Sequence, residues 1–214
     1  MRLVLASASP RRAELLRAAG YAFEIVIADV DESIRPGEAP AMYVRRLAAE
    51  KSAAAQARAR EGTAKTPPHL HATHDGPPEG GHYVQRVEAI ILGADTTVVV
   101  DGQILGKPRD DAEAGEMLRC LSGRSHEVLT GVSLRQGAFE VGRVETTVVH
   151  VRALSEDEVR WYVSSQEGHG KAGAYAIQGL ASRFIPRIVG SYSNVVGLPV
   201  ACVAELMTSL VASK

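Results

Sequence analysis

The chain has 214 residues, and 45% of them are hydrophobic, which is enough to form the core of one domain or of two closely packed lobes. A formal net charge of −1 excludes a general attraction to nucleic acid or to an anionic membrane, so any anion site has to be built locally. No segment approaches the ~18 consecutive apolar residues of a membrane span, and the apolar run at the start is too short for a signal sequence. We therefore expect a cytoplasmic protein with neither a membrane nor a nucleic-acid partner.

The first predicted elements are a short buried strand and a helix that starts at Ser9 and ends before Gly20. Ser9 suits the N-cap, and Pro10 suits the first helical position because the N–H that proline lacks would be unpaired there. The first turn then offers free backbone N–H groups and the positive end of the helix dipole, and Arg11 and Arg12 add planar donors that match phosphate oxygens. Taken alone, however, the pattern more often belongs to arginines that point into solvent.

The rest of the chain alternates predicted strands and helices, which indicates a mixed α/β fold. The pair Asp101-Gly102 between two apolar runs predicts a tight hairpin, so part of the sheet is antiparallel and a purely doubly wound sheet is disfavoured. Asp110 with Glu113 and Ser155 with Glu158 have the spacing at which a cap and a carboxylate satisfy each other's backbone donors. The predicted strands cover 3–6, 23–27, 89–92, 97–100, 127–134 and 139–152, and the later helices cover 41–60, 110 to about 121, 155 to about 164, and a last one opened by Pro199.

Neither the cysteines nor the clustered histidines have the spacing of a metal site. Cys120 and Cys202 lie far apart in predicted helices and have no CxxC partner, so we expect two reduced thiols. Residues 61–87 include four histidines but hardly any apolar residues, and the histidine spacing matches no zinc pattern. We expect this segment to be a flexible surface loop of a single domain that spans residues 1–214.

Two acidic positions are candidates for a site that holds a metal ion. Asp95 follows the apolar run over 89–92, where an α/β fold usually presents its reactive groups, although a carboxylate that caps its own turn fits the spacing equally well. Glu32 follows Asp31 beyond the second predicted strand, and the alternative for this pair is a solvated loop charge. If both sources of carboxylate lie at one site, they can hold Mg²⁺, which prefers oxygen ligands and bridges substrate phosphates.

Lys51, Lys107 and Gln178 are further candidate ligand contacts. Lys107 is the better placed lysine because a glycine and a proline fix the backbone around it just before a helix start, whereas Lys51 alone is typical of a helix surface. Gln178 lies in a segment of small residues that permits close approach of a ligand. Its amide both donates and accepts, which suits the imide edge of uracil or thymine, although a structural glutamine beside Gly179 is a fair alternative.

In their order along the chain, these motifs resemble the Maf family of nucleoside triphosphate pyrophosphatases nearly from end to end. Such an ordered series is far more specific than any one motif, and the only departure is that residues 61–87 form a longer segment than we expect for the family. The elements around Gln178 and Tyr192 are similar to the branch that acts on dTTP and UTP rather than the branch that acts on 7-methyl-GTP. The matching motifs are Ser7-Ala8-Ser9-Pro10-Arg11-Arg12-Ala13-Glu14-Leu15-Leu16, Val30-Asp31-Glu32, Glu50-Lys51, Gly93-Ala94-Asp95-Thr96, Gly106-Lys107-Pro108, Gly170-Lys171-Ala172-Gly173-Ala174-Tyr175-Ala176-Ile177-Gln178-Gly179, Gly190-Ser191-Tyr192 and Asn194-Val195-Val196-Gly197-Leu198-Pro199.

The resemblance implies an inosine triphosphate pyrophosphatase-like fold, in which an elongated mixed β-sheet is flanked by helices and two lobes enclose a central cleft. It implies hydrolysis of dTTP, UTP and modified pyrimidine nucleotides to the monophosphate and pyrophosphate, in a house-cleaning or cell-division-linked role, by a homodimer. Mg²⁺ is the expected cofactor, with Mn²⁺ or Co²⁺ as alternatives. A reading from a different class is a non-catalytic nucleotide-binding regulator of cell division and septum formation.

The resemblance also assigns roles to individual residues of this chain. Asp95 is expected to accept the proton of the attacking water and to ligate the metal ion together with Glu32. Lys107 joins these two carboxylates in the expected catalytic set. The expected substrate contacts are Arg11, Thr96 and Gln178 for selection of the substrate, Arg12, Lys51 and Lys107 for the phosphates, and Ser9 at the helix start.

Overall fold

The computed structural model describes residues 2–27, 29–64 and 88–212, which form a seven-stranded sheet with helices on both faces. The strands are β1 (Leu3–Ala6), β2 (Glu24–Ile25), β3 (Ile90–Val100), β4 (Gln103–Leu105), β5 (Ser125–Gln136), β6 (Phe139–His150) and β7 (Arg187–Val189). The helices are α1 (Pro10–Ala18), α2 (Pro40–Ala64), α3 (Asp111–Leu121), α4 (Glu156–Ser164), α5 (Tyr192–Val196) and α6 (Val200–Ala212), with two 3₁₀ turns over Ala172–Ala174 and Leu180–Phe184.

The sheet is mixed, as the hairpin signal predicted. Its order is β2-β1-β3-β5-β6-β7, and the short β4 pairs with β3 through the predicted turn at Asp101-Gly102. Strand β1 runs parallel to both of its neighbours, and the remaining pairs are antiparallel. Residues 61–64 continue α2, and the rest of the predicted surface loop, with its four histidines, lies outside the described residues.

Strand β3 corrects one prediction from the sequence. The two strands predicted over 89–92 and 97–100 are a single strand, and Asp95 lies inside it, paired with Gly131 of β5, rather than at a strand end. An aspartate is rare within a strand, so the sequence favoured a break there. The strand continues because the Asp95 side chain has a cationic partner in the folded protein, Lys51.

The edge of β3 opposite β5 is only partly covered. Strand β1 pairs with residues 90–93 of β3, and β4 pairs with residues 98–100, so residues 94–97 have no strand beside them on this edge within the described part of the chain. Successive side chains of a strand point to opposite faces, so Asp95 and Thr96 at this gap lie on opposite faces of the sheet.

Two apolar clusters occupy one face of the sheet, one at either end of the long strands. The first packs around Leu16 and Leu92 and includes α1 and α6. The second packs around Leu118 and Tyr162 and includes α3 and α4. The clusters correspond to the two lobes that were predicted, and β3 and β5 run through both.

Helix α2 covers the opposite face at very close range. A Cβ atom at Gly93 would lie 2.2 Å from the Ala48 carbonyl oxygen, and one at Gly131 would lie 2.1 Å from that of Val44. Both distances are far below van der Waals contact, so only glycine permits this approach. The close packing places α2, and therefore Lys51, directly against β3.

The predicted helix starts are confirmed in position, with two differences in detail. Ser155 and Glu158 form the complete reciprocal cap, whereas Asp110 accepts from the Glu113 N–H and the Glu113 carboxylate turns instead to Arg109. Ser9 occupies the N-cap position of α1 but its side chain makes no capping hydrogen bond.

The structure also bears on the cysteines and on the apolar character of the helices. Cys120 in α3 and Cys202 in α6 are free thiols, as predicted. Among the described residues, no helix combines the length and the apolar character that crossing a membrane requires.

Candidate active site

The open edge of β3 borders a cleft of about 730 Å³. Its other walls come from the start of α1, the loop that follows β4, and the segment from Gly170 to Gln178. All of the residues assigned to a site from the sequence line this one cleft: Ser9, Arg11, Arg12, Glu32, Lys51, Asp95, Thr96, Lys107 and Gln178.

On the α2 side of the sheet, one ammonium group joins two carboxylates. The Lys51 Nζ donates to Asp95 Oδ1 at 2.7 Å and to Glu32 Oε1 at 2.6 Å. Lys51 and Asp95 are buried, with 8% of each exposed, so this contact is shielded from water. Lys51 is therefore not the exposed helix residue that its sequence context suggested, and Asp95 does not cap its own turn.

Glu32 is held toward Lys51 by its backbone. The Tyr43 hydroxyl donates to the Glu32 carbonyl at 3.0 Å, and the Arg46 guanidinium donates to the next carbonyl, that of Ser33, also at 3.0 Å. Burial alone would raise the pKa of Glu32, but the hydrogen bond from Lys51 and the charges around it hold that pKa below its ordinary value. Glu32 therefore carries a negative charge at neutral pH. Its neighbour Asp31 is exposed, and its carboxylate accepts from the Ser33 N–H.

On the other side of the sheet, Arg12 is buried and four of its five N–H groups bond to the protein. They reach the Gly197 carbonyl at 2.8 Å, the Ala94 carbonyl at 2.9 Å, and the hydroxyl oxygens of Ser7 and Thr96 at 3.1 Å each. Ala94 is part of the unpaired edge of β3, so Arg12 takes the place of a neighbouring strand there. This position leaves Arg12 little freedom for contact with phosphates.

Arg11 and Lys171 are two further cations of the cleft. Arg11 is half-buried, and its side chain makes no hydrogen bond or ion pair with the other described residues, whereas the Lys171 ammonium donates to the backbone carbonyl of Glu167. Burial, and then the charge of Arg11, lowers the pKa of Lys171, so the two cations lie close enough to repel each other. Ser9 also lines the cleft. Its hydroxyl does not cap α1, so it accepts no hydrogen bond from the backbone N–H groups in the first turn of the helix.

Lys107 and Gln178 lie farther out in the cleft. Lys107 is 65% exposed, and its Nζ is 3.9 Å from Glu32 Oε2. Gln178 is exposed, and its neighbours Tyr175, Ala176 and Ile177 also line the cleft. The arrangement thus has a buried acidic centre, cations around it, and an amide at the outer wall.

The family comparison agrees with the motifs. The family model described as "Maf-like protein" matches residues 2–210. The chain belongs to the Maf family. Among the curated proteins, this Maf-like chain is 48% identical to the "dTTP/UTP pyrophosphatase" of Hahella chejuensis, over 92% of this chain and 87% of that one. It is 45% identical to the protein of that name from Symbiobacterium thermophilum, over 96% and 92%, and 44% identical to the one from Vibrio cholerae, over 92% of each.

Among solved structures, the Maf-like chain matches the Staphylococcus aureus Ham1 protein over the full length of both chains, with 12% identity and a TM-score of 0.46. A TM-score this low does not establish that the two proteins share a fold. The mixed sheet flanked by helices is instead seen directly in the structure of this chain.

Three residues of the Maf-like cleft were not singled out from the sequence. Lys171 lies between Gly170 and Gly173 in one of the matching motifs, and a lysine flanked by glycines could have indicated a cation close to a ligand. Tyr43 and Ser7 gave no such signal, because a helical tyrosine and a serine before a helix are common and only the fold shows that they hold Glu32 and Arg12.

The donor set of the Maf-like cleft fits a magnesium ion. Glu32 and Asp95 both contact the Lys51 ammonium, so their carboxylates lie close together, and both offer the hard oxygen atoms that Mg²⁺ prefers. The point between Glu32 Oε1 and Asp95 Oδ1 is occupied by Lys51 Nζ, so an ion would be held by the other oxygen of each carboxylate. No group of three or more His, Cys, Asp or Glu residues that could hold a metal ion occurs among the described residues. Two carboxylates suffice for Mg²⁺, which takes its remaining ligands from water and substrate phosphates.

Proposed function

We propose that this protein hydrolyses the bond between the α- and β-phosphates of UTP and dTTP, releasing the nucleoside monophosphate and pyrophosphate. The observation that carries the proposal is the buried Asp95 carboxylate, held by Lys51 in a cleft that also contains Arg11, Lys107 and Lys171. Relatives that match over most of the chain are named for this activity, which supports the same conclusion.

In the proposed reaction, a water oxygen attacks the α-phosphorus while the bond from that phosphorus to the α,β-bridging oxygen breaks. One proton of the water passes to Asp95. Its Oδ1 already accepts from Lys51, and among the described residues nothing donates to Oδ2, so Oδ2 is the oxygen positioned to take the proton. Pyrophosphate leaves with the electron pair of the broken bond.

The cations of the cleft have the complementary task. Negative charge develops on pyrophosphate as the bond breaks, and Arg11, Lys107 and Lys171 are cationic side chains of the cleft that can stabilise it. A divalent metal ion held by Glu32 and Asp95 would add charge neutralisation at the phosphate oxygens. Arg12 contributes mainly by fixing Thr96 and the Gly197 turn in place.

Gln178 is the proposed determinant for the base. In one orientation its amide pairs with O4 and N3–H of uracil or thymine, whereas adenine and cytosine present the reverse arrangement, an amino donor beside a ring-nitrogen acceptor. Guanine and 7-methylguanine offer a matching O6 and N1–H pair, but on a larger ring system. UTP and dTTP differ by one methyl group, and because such a group changes binding by only ~1–3 kcal/mol, we expect weak discrimination between them.

Four finer points belong to the same proposal and rest on the family resemblance. They are the use of Mg²⁺, the homodimer, action in the cytoplasm, and a house-cleaning or cell-division-linked role.

The proposal is tested by incubating the protein with UTP, dTTP, CTP, ATP, GTP and 7-methyl-GTP in the presence of Mg²⁺, Mn²⁺ or Co²⁺ and measuring the pyrophosphate released. We expect UTP and dTTP to have the highest kcat/KM. If 7-methyl-GTP is the best substrate, the assignment to the pyrimidine branch is wrong. Tight nucleotide binding with no pyrophosphate from any substrate would instead favour the non-catalytic regulator.

A further inference from the structure

The segment that carries Gln178 is fixed on both sides by hydrogen bonds from outside the cleft. Two residues before Gln178, the backbone N–H of Ala176 donates to the Tyr162 hydroxyl at 3.1 Å. Two residues after it, the backbone N–H of Leu180 donates to Glu167 Oε2 at 2.9 Å. Gln178 itself is exposed, so these neighbours, rather than packing around its own side chain, set its position.

The two anchors are connected to each other. The Tyr162 hydroxyl donates its proton to Glu167 Oε1 at 2.8 Å, and the Ala181 N–H reaches the same oxygen at 3.4 Å. One hydroxyl and one carboxylate therefore hold three backbone N–H groups of a six-residue stretch. Neither residue lines the cleft.

Tyr162 is well suited to a fixed role. It belongs to α4, only 1% of it is exposed, and its ring packs edge-on against Phe184 with the centroids 5.7 Å apart. Burial, followed by the hydrogen bond to Glu167, raises the pKa of Tyr162 above its ordinary value, so the hydroxyl keeps its proton at neutral pH. It then acts as a donor to Glu167 and as an acceptor for Ala176 at the same time.

Gly179 shows how closely the carboxylate follows the segment. A Cβ atom at this position would lie 2.0 Å from Glu167 Oε2, so the backbone next to Gln178 lies directly against that oxygen. In the motif that runs from Gly170 to Gly179, the last glycine therefore makes room for the Glu167 carboxylate. It does not line the cleft, so it does not serve the approach of a ligand.

We infer that Tyr162 and Glu167 are positioning residues for base selection, because they set the location of Gln178 from outside the cleft. This inference rests on the proposed function, in which Gln178 pairs with the pyrimidine. A loose Gln178 segment would weaken a contact that uracil and thymine make and adenine does not, while Glu32, Lys51 and Asp95 hold one another from other elements of the fold. Loss of either anchor should therefore reduce the preference for UTP over ATP and change the turnover of bound substrate much less.

The test is a double-mutant cycle on the ratio of kcat/KM for UTP to kcat/KM for ATP. The proteins are wild type, Tyr162→Phe, Gln178→Ala and the double variant, and Tyr21→Phe is the matched control because its hydroxyl has no hydrogen bond among the described residues. We expect Tyr162→Phe to lower the ratio about 2- to 12-fold, as for the loss of one neutral hydrogen bond, with most of the change in KM. In the Gln178→Ala background the same change should have no further effect.

Glu167→Gln provides a second variant if Tyr162→Phe does not fold, as judged by circular dichroism. It keeps one acceptor oxygen and loses the other, so it should lower the ratio in the same direction. A Tyr162→Phe or Glu167→Gln protein with an unchanged ratio, while Gln178→Ala lowers it, overturns the positioning role alone. Losses that add in the double variant overturn it as well. If Gln178→Ala leaves the ratio unchanged, the base selection of the proposed function is wrong and this inference fails with it.

Discussion

Asp95 and Glu32 share the ammonium of Lys51 but differ in exposure. The Asp95 side chain is 11% exposed and the Glu32 side chain is 47% exposed, although the two contacts to Lys51 have nearly equal lengths. A buried carboxylate with one oxygen already engaged has a single remaining direction for contact with a small nucleophile. Glu32 is free to follow an incoming cation or phosphate. The geometry therefore favours Asp95 as the proton acceptor and Glu32 as the more adaptable partner.

Replacement of Asp95 by Asn tests this assignment. The amide keeps the shape of the side chain but cannot take a proton from water, so we expect kcat for UTP to fall about 100- to 10,000-fold. Asp101→Asn is the matched control, since Asp101 lies in the β3–β4 turn with a positive φ of 50°, which asparagine tolerates. Unaltered hydrolysis by the Asp95→Asn protein would rule out the role of proton acceptor.

Arg12 illustrates what the sequence could not provide. The Ser-Pro-Arg-Arg pattern predicted a helix start with two phosphate-binding guanidinium groups, and the helix start is confirmed. The two arginines nevertheless differ, because Arg12 finds acceptors at Ala94 and Gly197, which only folding brings near it. Side-chain burial of this kind depends on distant backbone carbonyls and leaves no local signal.

Helix α2 determines the acidic centre because of how closely it approaches the sheet. It supplies Lys51 directly, and it holds the Glu32 and Ser33 carbonyls through Tyr43 and Arg46. The approach depends on Gly93, where a Cβ would contact the Ala48 carbonyl and the Ser52 N–H. A small change in the distance between α2 and β3 would therefore act on several groups of the centre together.

Gly93→Ala should both destabilise the protein and lower its activity. The added methyl group overpacks the interface, at a cost of about 1–3 kcal/mol in the free energy of unfolding, and it displaces α2 together with Lys51. Urea unfolding and UTP hydrolysis measure the two effects. Gly106→Ala is the control for stability, because a Cβ there meets no atom within 4 Å. Equal unfolding midpoints for the two variants would contradict the close approach.

Elements with strong local signals were predictable, and elements that depend on tertiary contacts were not. The hairpin at Asp101-Gly102 and the reciprocal cap at Ser155 follow from turn and capping chemistry and are confirmed. The continuity of β3 through Asp95 depends on Lys51 from another element. Strand β7 was missed because three residues are too few to show a period of two.

The two apolar clusters are joined by β3 and β5, so the cleft lies between lobes that share their central strands. His126 of β5 is buried against the second cluster, where its Nε2 contacts the Tyr175 hydroxyl at 2.8 Å. Burial, and then the nearby His150, lowers the pKa of His126 to about 4. The folded protein therefore holds this imidazole neutral at pH values where the unfolded chain is protonated.

Stability should consequently fall as the pH is lowered from about 6.5 toward about 4. In this range the unfolded chain binds a proton at His126 and the folded protein does not, so the free energy of unfolding rises with pH. The contribution of His126 is fully present above about pH 6.5 and amounts to about 3 kcal/mol over the whole range. Urea unfolding is measured above about pH 4.5, which separates the effect of His126 from those of Glu38 and Glu158. The pKa values of these two carboxylates lie at about 2, so their contributions to stability are lost only in stronger acid. The measurement compares wild type with His126→Gln over this pH range.

The His126→Gln variant decides the origin of the pH dependence. Gln at 126 cannot titrate but can still form a hydrogen bond with the Tyr175 hydroxyl, so the slope of stability against pH should flatten. An unchanged slope in the His126→Gln protein would show that other groups cause the dependence.

The alternation of side chains along β3 makes strand register a requirement for chemistry. Asp95 faces Lys51 on one side of the sheet, and Thr96 faces Arg12 on the other. A slip of one position would place Thr96 or Ala94, according to its direction, opposite the ammonium and would move the carboxylate to the other face of the sheet. Gly93 guards against such a slip, because no neighbouring residue of the strand is small enough to replace it under the Ala48 carbonyl. A steric exclusion two residues away thus keeps the Asp95 carboxylate on the same face as Lys51.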